Sequence, residues 1–239
     1  MKAMLIDANQ NLVWSEVADP IVGEDEVLVK VYAAGVNRAD LLQRQGKYPS
    51  PPGCPEWMGL EISGVITACG SGVTDWKTGD RVCALLGGGG YAEYVSVKSD
   101  MLMPIPKGIS MEQAAALPEA YATSYLNLFL EGHLQPGQTA FIPAGASGLA
   151  SVAIPMAKAF GARVITSVRK AHQIERIAPF GADVIIHTAQ ENVEDVWPLL
   201  ENGTITPAIH AVLPMAQAGE AHDILSRGDQ VGKVILRLP

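Results

Sequence analysis

Apolar and polar residues alternate sharply along Glu26 to Ala33 (EVLVKVYA), the period-two signature of a half-buried strand. Shorter strands are predicted at Glu61 to Ala68, Arg81 to Leu86 and Tyr91 to Val97. Turn residues punctuate them: Pro20, Gly23, Pro49 to Gly53, Gly70 to Gly72, Gly79-Asp80 and Gly87 to Gly90. Strands at this spacing predict a small, partly closed β-barrel over roughly the first 120 residues. The period then lengthens. Ser110-x-x-Gln113 has the form of a capping box that starts a helix, and a further apolar helix over Tyr121 to Leu130 stops at Gly132.

The stretch Thr139 to Ala150 (TAFIPAGASGLA) reads as a strand, a glycine turn and a helix start. Gly145, Gly148 and Ala150 hold the first, fourth and sixth places of a dinucleotide-binding turn; Ser147 stands where the second glycine is usual. The N–H groups of Gly148 and Leu149 would face a pyrophosphate at the helix N-terminus. A helix over Ser151 to Phe160, a stop at Gly161-Ala162 and a strand at Arg163 to Val168 complete a βαβ unit. An acid that would hold a ribose 2′-hydroxyl is expected about twenty residues past the turn. No Asp or Glu occurs between Arg163 and Ile174, and Arg169 and Lys170 stand there instead. Two cations suit a 2′-phosphate, which points to NADPH; the other reading is two solvated charges at a strand end.

Composition sets outer limits. The chain has 239 residues, 48% hydrophobic and 18% charged, enough for one large or two small globular domains. A net charge of −8 with no basic run argues against nucleic acid as a partner. No apolar run reaches membrane length, so no membrane partner is expected. Cys54, Cys69 and Cys83 are odd in number and form no CxxC pair, which argues for a reducing compartment, the cytoplasm by default. His133, His172, His187, His210 and His222 share no metal spacing.

A strand-rich domain followed by this βαβ unit resembles the medium-chain dehydrogenase/reductase superfamily, and within it the zinc-free quinone oxidoreductase branch, including the p53-inducible type. The residues that carry the resemblance are Asn37-Arg38-Ala39-Asp40, Gln43-Arg44-Gln45-Gly46-x-Tyr48, Gly59-Leu60-Glu61-x-Ser63-Gly64, Gly79-Asp80-Arg81-Val82, Pro118-Glu119-Ala120 with Thr123, and Gly232-Lys233-Val234-Ile235-Leu236. The resemblance implies an α/β plus β fold: a GroES-like, partly closed β-barrel substrate domain at 1–122 and 200–239, and a Rossmann-type parallel sheet at 123–199. Zinc-dependent relatives have Gly-His-Glu where Gly59-Leu60-Glu61 stands here, and Leu60 ligates no metal, so no metal site is expected.

What the resemblance implies is hydride transfer from NADPH to a quinone or an activated alkene, a small-molecule substrate. Asn37 and Thr123 would lie near the nicotinamide and its ribose. Tyr48 would line the substrate pocket and hydrogen-bond the developing oxyanion. The bland alternatives are a turn asparagine satisfying its own backbone, a tyrosine packed under the proline loop at Pro49, and a threonine on a helix surface. Gly87 to Gly90 reads equally as a pocket lid and as a hairpin loop.

The chain departs from the family after His187. Strands at Thr139 to Ile142, Arg163 to Val168 and Asp183 to His187 make one half of a six-stranded nucleotide sheet. The sequence then passes within a few residues to Val196 to Gly203, a helix that in the family follows the second half. A strand at Ile205 to Leu213, a helix at Ala216 to Ser226 and a strand at Lys233 to Leu238 match the family's C-terminal return. About three strands and their helices are missing internally. Pro155, inside one helix, and Pro179, late in the next, add strain. Two functions stand: an NADPH-dependent reductase of quinones or enones impaired by the deletion, and a non-catalytic remnant that serves as a binding or assembly module. The deletion also leaves Thr139 to Ile142 at the sheet edge, which predicts a homodimer that covers it.

Overall fold

The computed structural model describes residues 1–188, 198, 201–204, 206, 208–228, 231 and 233–237. Near the start, β1 (Lys2–Ile6) and β2 (Leu12–Glu16) form an antiparallel hairpin. The Asp7 carboxylate ties its turn by accepting from the Asn9 and Asn11 amides. Five strands then build one antiparallel sheet: β3 (Glu26–Ala34), β4 (Glu61–Cys69), β5 (Arg81–Leu85), β6 (Tyr94–Lys98) and β7 (Leu102–Pro104), in the order β6-β3-β4-β5-β7. The alternation in β3 puts Val27 and Val29 fully inside. With Ile62, Ile66, Val82, Val95 and Val97 they form the first core. The hairpin joins this sheet through residues 91–93: the Met4 amide donates to the Tyr91 carbonyl and the Glu93 amide to the Lys2 carbonyl. The strand expected from Tyr91 therefore enters its ladder only at Tyr94.

Between β3 and β4 a short helix, α1 (Arg38–Arg44), interrupts the strands. The sequence reading had only a turn and a motif there. The helix α2 (Met111–Ala114) begins with the expected capping box: Ser110 Oγ accepts from the Gln113 amide, and Gln113 Oε1 accepts from the Ser110 amide. Next comes α3 (Pro118–Tyr125), whose axis continues as a wider π-helical turn over Leu126–Glu131 and ends at Gly132. Proline opens α3, where its missing N–H costs nothing.

The second sheet is parallel, in the order β10-β9-β8, with β8 (Thr139–Ile142), β9 (Arg163–Val168) and β10 (Val184–His187). The helix α4 (Gly148–Ala159) crosses from β8 to β9. Its buried stripe is Ala150, Ala153, Ile154 and Ala157, and three alanines let it lie close against Ile142 and Val164. Pro155 stays inside this helix without breaking it, because it faces solvent and leaves only the Ser151 carbonyl without a helical donor. Pro179 corrects the sequence reading. The helix α5 (Gln173–Ile177) has already ended, and Pro179 sits early in the tight turn Ala178–Phe180, where proline fits. Beyond it, β11 (Ile209–Pro214), α6 (Ala218–Arg227) and β12 (Lys233–Arg237) form a two-stranded parallel sheet with its helix. The helix expected over 196–203 falls largely outside the described residues.

The two main sheets meet through α3, which packs on α4. Phe129, on the continuation of α3, contacts the rings of Tyr125 and Phe160 at 5.3 and 4.5 Å. One helix pair thus fixes the barrel's edge against the nucleotide turn.

Candidate functional site

A cleft of about 790 Å³ opens where the barrel sheet, α3 and the start of α4 come together. Its nucleotide-side wall is the turn after β8. Gly145 is buried there, and a Cβ on it would meet Thr166 Oγ1 at 2.5 Å and Ile177 Cδ1 at 2.8 Å, so only glycine lets the turn lie on β9. The preceding Ala144 has φ of 53°, a left-handed conformation that a non-glycine residue adopts at a cost of order 1 kcal/mol. Ser147 caps α4: its Oγ accepts from the Ala150 amide at 3.1 Å. The amides of Gly148 and Leu149, the first two of the helix, meet no protein acceptor among the described residues, and a Cβ on Gly148 would meet nothing within 4 Å. Free donors at a positive helix end, with open space before them, fit the pyrophosphate of a dinucleotide.

The opposite wall is built on a buried carboxylate. Glu61, the first residue of β4, is 4% exposed. Its Oε1 accepts from Asn37 Nδ2 at 3.0 Å and its Oε2 from the Glu119 amide at 2.9 Å. Asn37 is the residue before α1, and Glu119 is the second residue of α3. One carboxylate therefore holds the N-termini of two helices. Behind it lies Asp40, 2% exposed, which accepts from the Asn37 amide at 2.7 Å, the Gly59 amide at 3.2 Å and the Tyr91 hydroxyl at 3.1 Å. Burial, and then the neighbouring Asp40, holds the Tyr91 phenol well above its usual pKa, so it stays a donor.

Of the residues singled out in the sequence, Asn37, Thr123, Ser147, Gly148 and Leu149 all line this cleft. Gly145 supports it from behind. Tyr48 is 39% exposed in the loop after α1 and is not among the lining residues. Arg169 and Lys170 are exposed just beyond the end of β9, also off the cleft. Asp40, Glu61 and Glu119 stand in the motifs that carry the family resemblance, but sequence reasoning assigned none of them a role in the site. Their signal was present: acids inside otherwise apolar or small-residue stretches, which stay buried only when hydrogen-bonded. The described residues contain no group of three or more His, Cys, Asp or Glu placed to hold a metal. At the position where zinc-dependent relatives carry histidine, Leu60 packs into the core at 7% exposure.

Comparison with known proteins fits this geometry. The alcohol dehydrogenase GroES-like domain model matches residues 23–107, and the zinc-binding dehydrogenase model matches residues 124–236. The chain belongs to the medium-chain dehydrogenase/reductase superfamily. It is 41% identical over 185 residues to a quinone oxidoreductase-like protein 2 homolog of Nematostella vectensis, covering 76% of this chain and 50% of that one. It is 35% identical over 193 residues to a chloroplastic NADPH-dependent alkenal/one oxidoreductase of Arabidopsis thaliana, again 76% and 50%. The chain thus spans about half the length of these curated relatives. Among solved structures, a quinone oxidoreductase of Pseudomonas syringae superposes with a TM-score of 0.74 at 26% identity, covering all of this chain and 80% of that one. The Escherichia coli quinone oxidoreductase, solved with NADPH, gives 0.71 at 26% identity over all of this chain and 79% of that one. The short span between β10 and β11 fits a family chain that has lost an internal segment of its nucleotide domain.

The Glu61 contacts generate a direct test. Glu61→Ala removes the acceptor of two inward donors, each worth about 1–3 kcal/mol when left unsatisfied. Chemical denaturation should show a loss of a few kcal/mol, with Glu61→Gln, which keeps one acceptor oxygen, losing less. A loss below about 0.5 kcal/mol for the alanine variant would mean that the contacts do not hold the two helices.

Proposed function

We propose that the chain is an NADPH-dependent, zinc-free reductase of quinones or activated alkenes, slowed by the loss of half its nucleotide sheet. The observation that carries this reading is the pair of free amides at Gly148 and Leu149, which open into the same cleft as Asn37 and Thr123. Relatives named as quinone and alkenal oxidoreductases support the substrate class. When bound, the cofactor supplies the hydride, and the carbonyl of the substrate accepts the electrons without a Lewis acid. The chain's own work is positional. Gly148, Leu149 and the Ser147 cap hold the pyrophosphate. Asn37, its side chain fixed by Glu61, and Thr123, one turn beyond Glu119 on α3, flank the ring. Tyr48 reaches the substrate only if its loop moves inward, and it then donates to the oxyanion. Arg169 and Lys170, standing at the end of β9, attract the 2′-phosphate.

We divide the chain into a barrel domain at 1–122 and 200–239 and a nucleotide domain at 123–199. The three free cysteines support a reducing compartment, which we take to be the cytoplasm. No helix among the described residues is long and apolar enough to cross a membrane. A second copy of the chain covers the edge of β8 that has no strand partner among the described residues, where Phe141 is 58% exposed. The alternative, a non-catalytic remnant acting as a binding module, draws on the same exposed edge.

Calorimetry should show saturable NADPH binding, weaker binding of NADH, and a preference narrowed by roughly tenfold when Arg169 and Lys170 are both changed to Ala. NADPH oxidation with a simple quinone should be slow. No NADPH binding at any concentration would leave the remnant reading. Equal binding of NADH and NADPH would remove the two cations from the account.

Light scattering should report twice the chain mass, and Phe141→Lys should give monomer or precipitate. A wild-type monomer that stays soluble at high concentration would contradict the covered edge.

A further inference from the structure

The cleft contains an acid that the reductase reading leaves without a task. Glu119 is half-buried on α3 and lines the cleft together with Asn37, Thr123 and Ser147. Its backbone amide is engaged by Glu61, yet its carboxyl makes no hydrogen bond among the described residues. Two further acids stand beside it. Glu61 of β4 and Asp40 of α1 lie close by, both buried, with their oxygens occupied as acceptors. The lining residues from α2 and α4 bring no ionisable side chain. Arg38 of α1 is the only cation among the lining residues, and no ion pair joins it to a carboxylate among the described residues. Burial first, then the charges of Glu61 and Asp40, push the Glu119 carboxyl above the usual carboxylate range.

A hydride added to an enone or a quinone leaves an electron pair that must take a proton. The chain needs an acid beside the reacting carbons, open to water on its other side so that it can recharge. We propose, resting on the reductase reading, that Glu119 is the proton donor of the reduction. A hydride adds to the β-carbon of the enone and a C–H bond forms there. The π electrons move to the carbonyl oxygen as an enolate. The O–H bond of Glu119 then breaks, its proton goes to the α-carbon, and Glu119 is left as a carboxylate. With a quinone the same proton goes to the phenolate oxygen. Water at the mouth of the cleft returns a proton to Glu119, so one NADPH and one proton are consumed per substrate reduced. The same two carboxylates that fix the helix ends serve a second purpose here, since their charge keeps the proton on Glu119 until it is used. Tyr121, which also lines the cleft, is the rival donor.

Two measurements on the full chain test the assignment. The first is carbon-13 NMR of glutamate-labelled protein without cofactor, the Glu119 carboxyl signal being identified by its loss in Glu119→Gln. Its midpoint should lie above that of the exposed glutamates. The second is NADPH oxidation with a simple enone across pH. An acid with a raised pKa is protonated below that value, so the rate should fall as pH rises through the midpoint seen by NMR. Glu119→Gln should lower kcat by at least tenfold and remove that limb, while NADPH affinity stays the same; general acids typically contribute a hundredfold or more. An ordinary midpoint for Glu119, or an unchanged rate and pH limb in Glu119→Gln, overturns the assignment while leaving the reductase reading intact. Loss of the limb in Tyr121→Phe overturns it in favour of the phenol. If the wild-type chain binds NADPH but reduces no enone or quinone at any pH, the reductase reading falls and the assignment falls with it.

Discussion

The Glu61 carboxylate, buried at the head of β4, is the interaction on which the cleft depends. A lone carboxylate inside a protein is costly, and it stays there only because donors surround it. Here the donors are the Asn37 side chain and the first turn of α3. Gly35 makes room for it, since any Cβ at that position would overlap the Glu61 carboxylate. The consequence is mechanical. The barrel sheet, α1 and α3 share one fixed point, and α3 carries that fixed point across to α4 and the nucleotide turn. Asn37 and Thr123 thereby share one cleft with Gly148 and Leu149.

The same arrangement leaves the start of α4 in place despite the missing segment. The α4 helix is carried by the first half of the nucleotide sheet, which stands among the described residues as β10-β9-β8 with α4 packed on it. What has gone is the wall on the far side of β8. That strand, central in the family's full sheet, lies here at an edge of the sheet formed by the described residues, with Phe141 turned to solvent.

The sequence made the period-based parts of this structure legible. Alternation located β3 through β6, and glycine and proline located their turns. The cap at Ser110 and the turn from Gly145 to Ala150 were readable because their chemistry is local. The helix α1 was missed because seven residues give almost two turns, too little for a period to show, although the Asn37-x-x-Asp40 cap was there to be read. The acids Asp40, Glu61 and Glu119 were legible as single motif residues and not as a cluster. Glu61 and Glu119 are 58 positions apart, and nothing in the sequence brings the amide of one to the carboxylate of the other. Tyr48, which the family resemblance places by the substrate, sits on an exposed loop that this structure keeps off the cleft. Loop position follows from tertiary packing and has no local signature.

The central claim is that one cleft, fixed by Glu61, holds a dinucleotide between the α4 N-terminus and the Asn37–Thr123 wall. A crystal structure of the chain with NADP⁺ tests it most directly. The account predicts the pyrophosphate on the amides of Gly148 and Leu149, the nicotinamide beside Asn37 and Thr123, and the 2′-phosphate towards Arg169 and Lys170. Pyrophosphate density anywhere other than the α4 N-terminus, or a nicotinamide directed away from the barrel sheet, would contradict it.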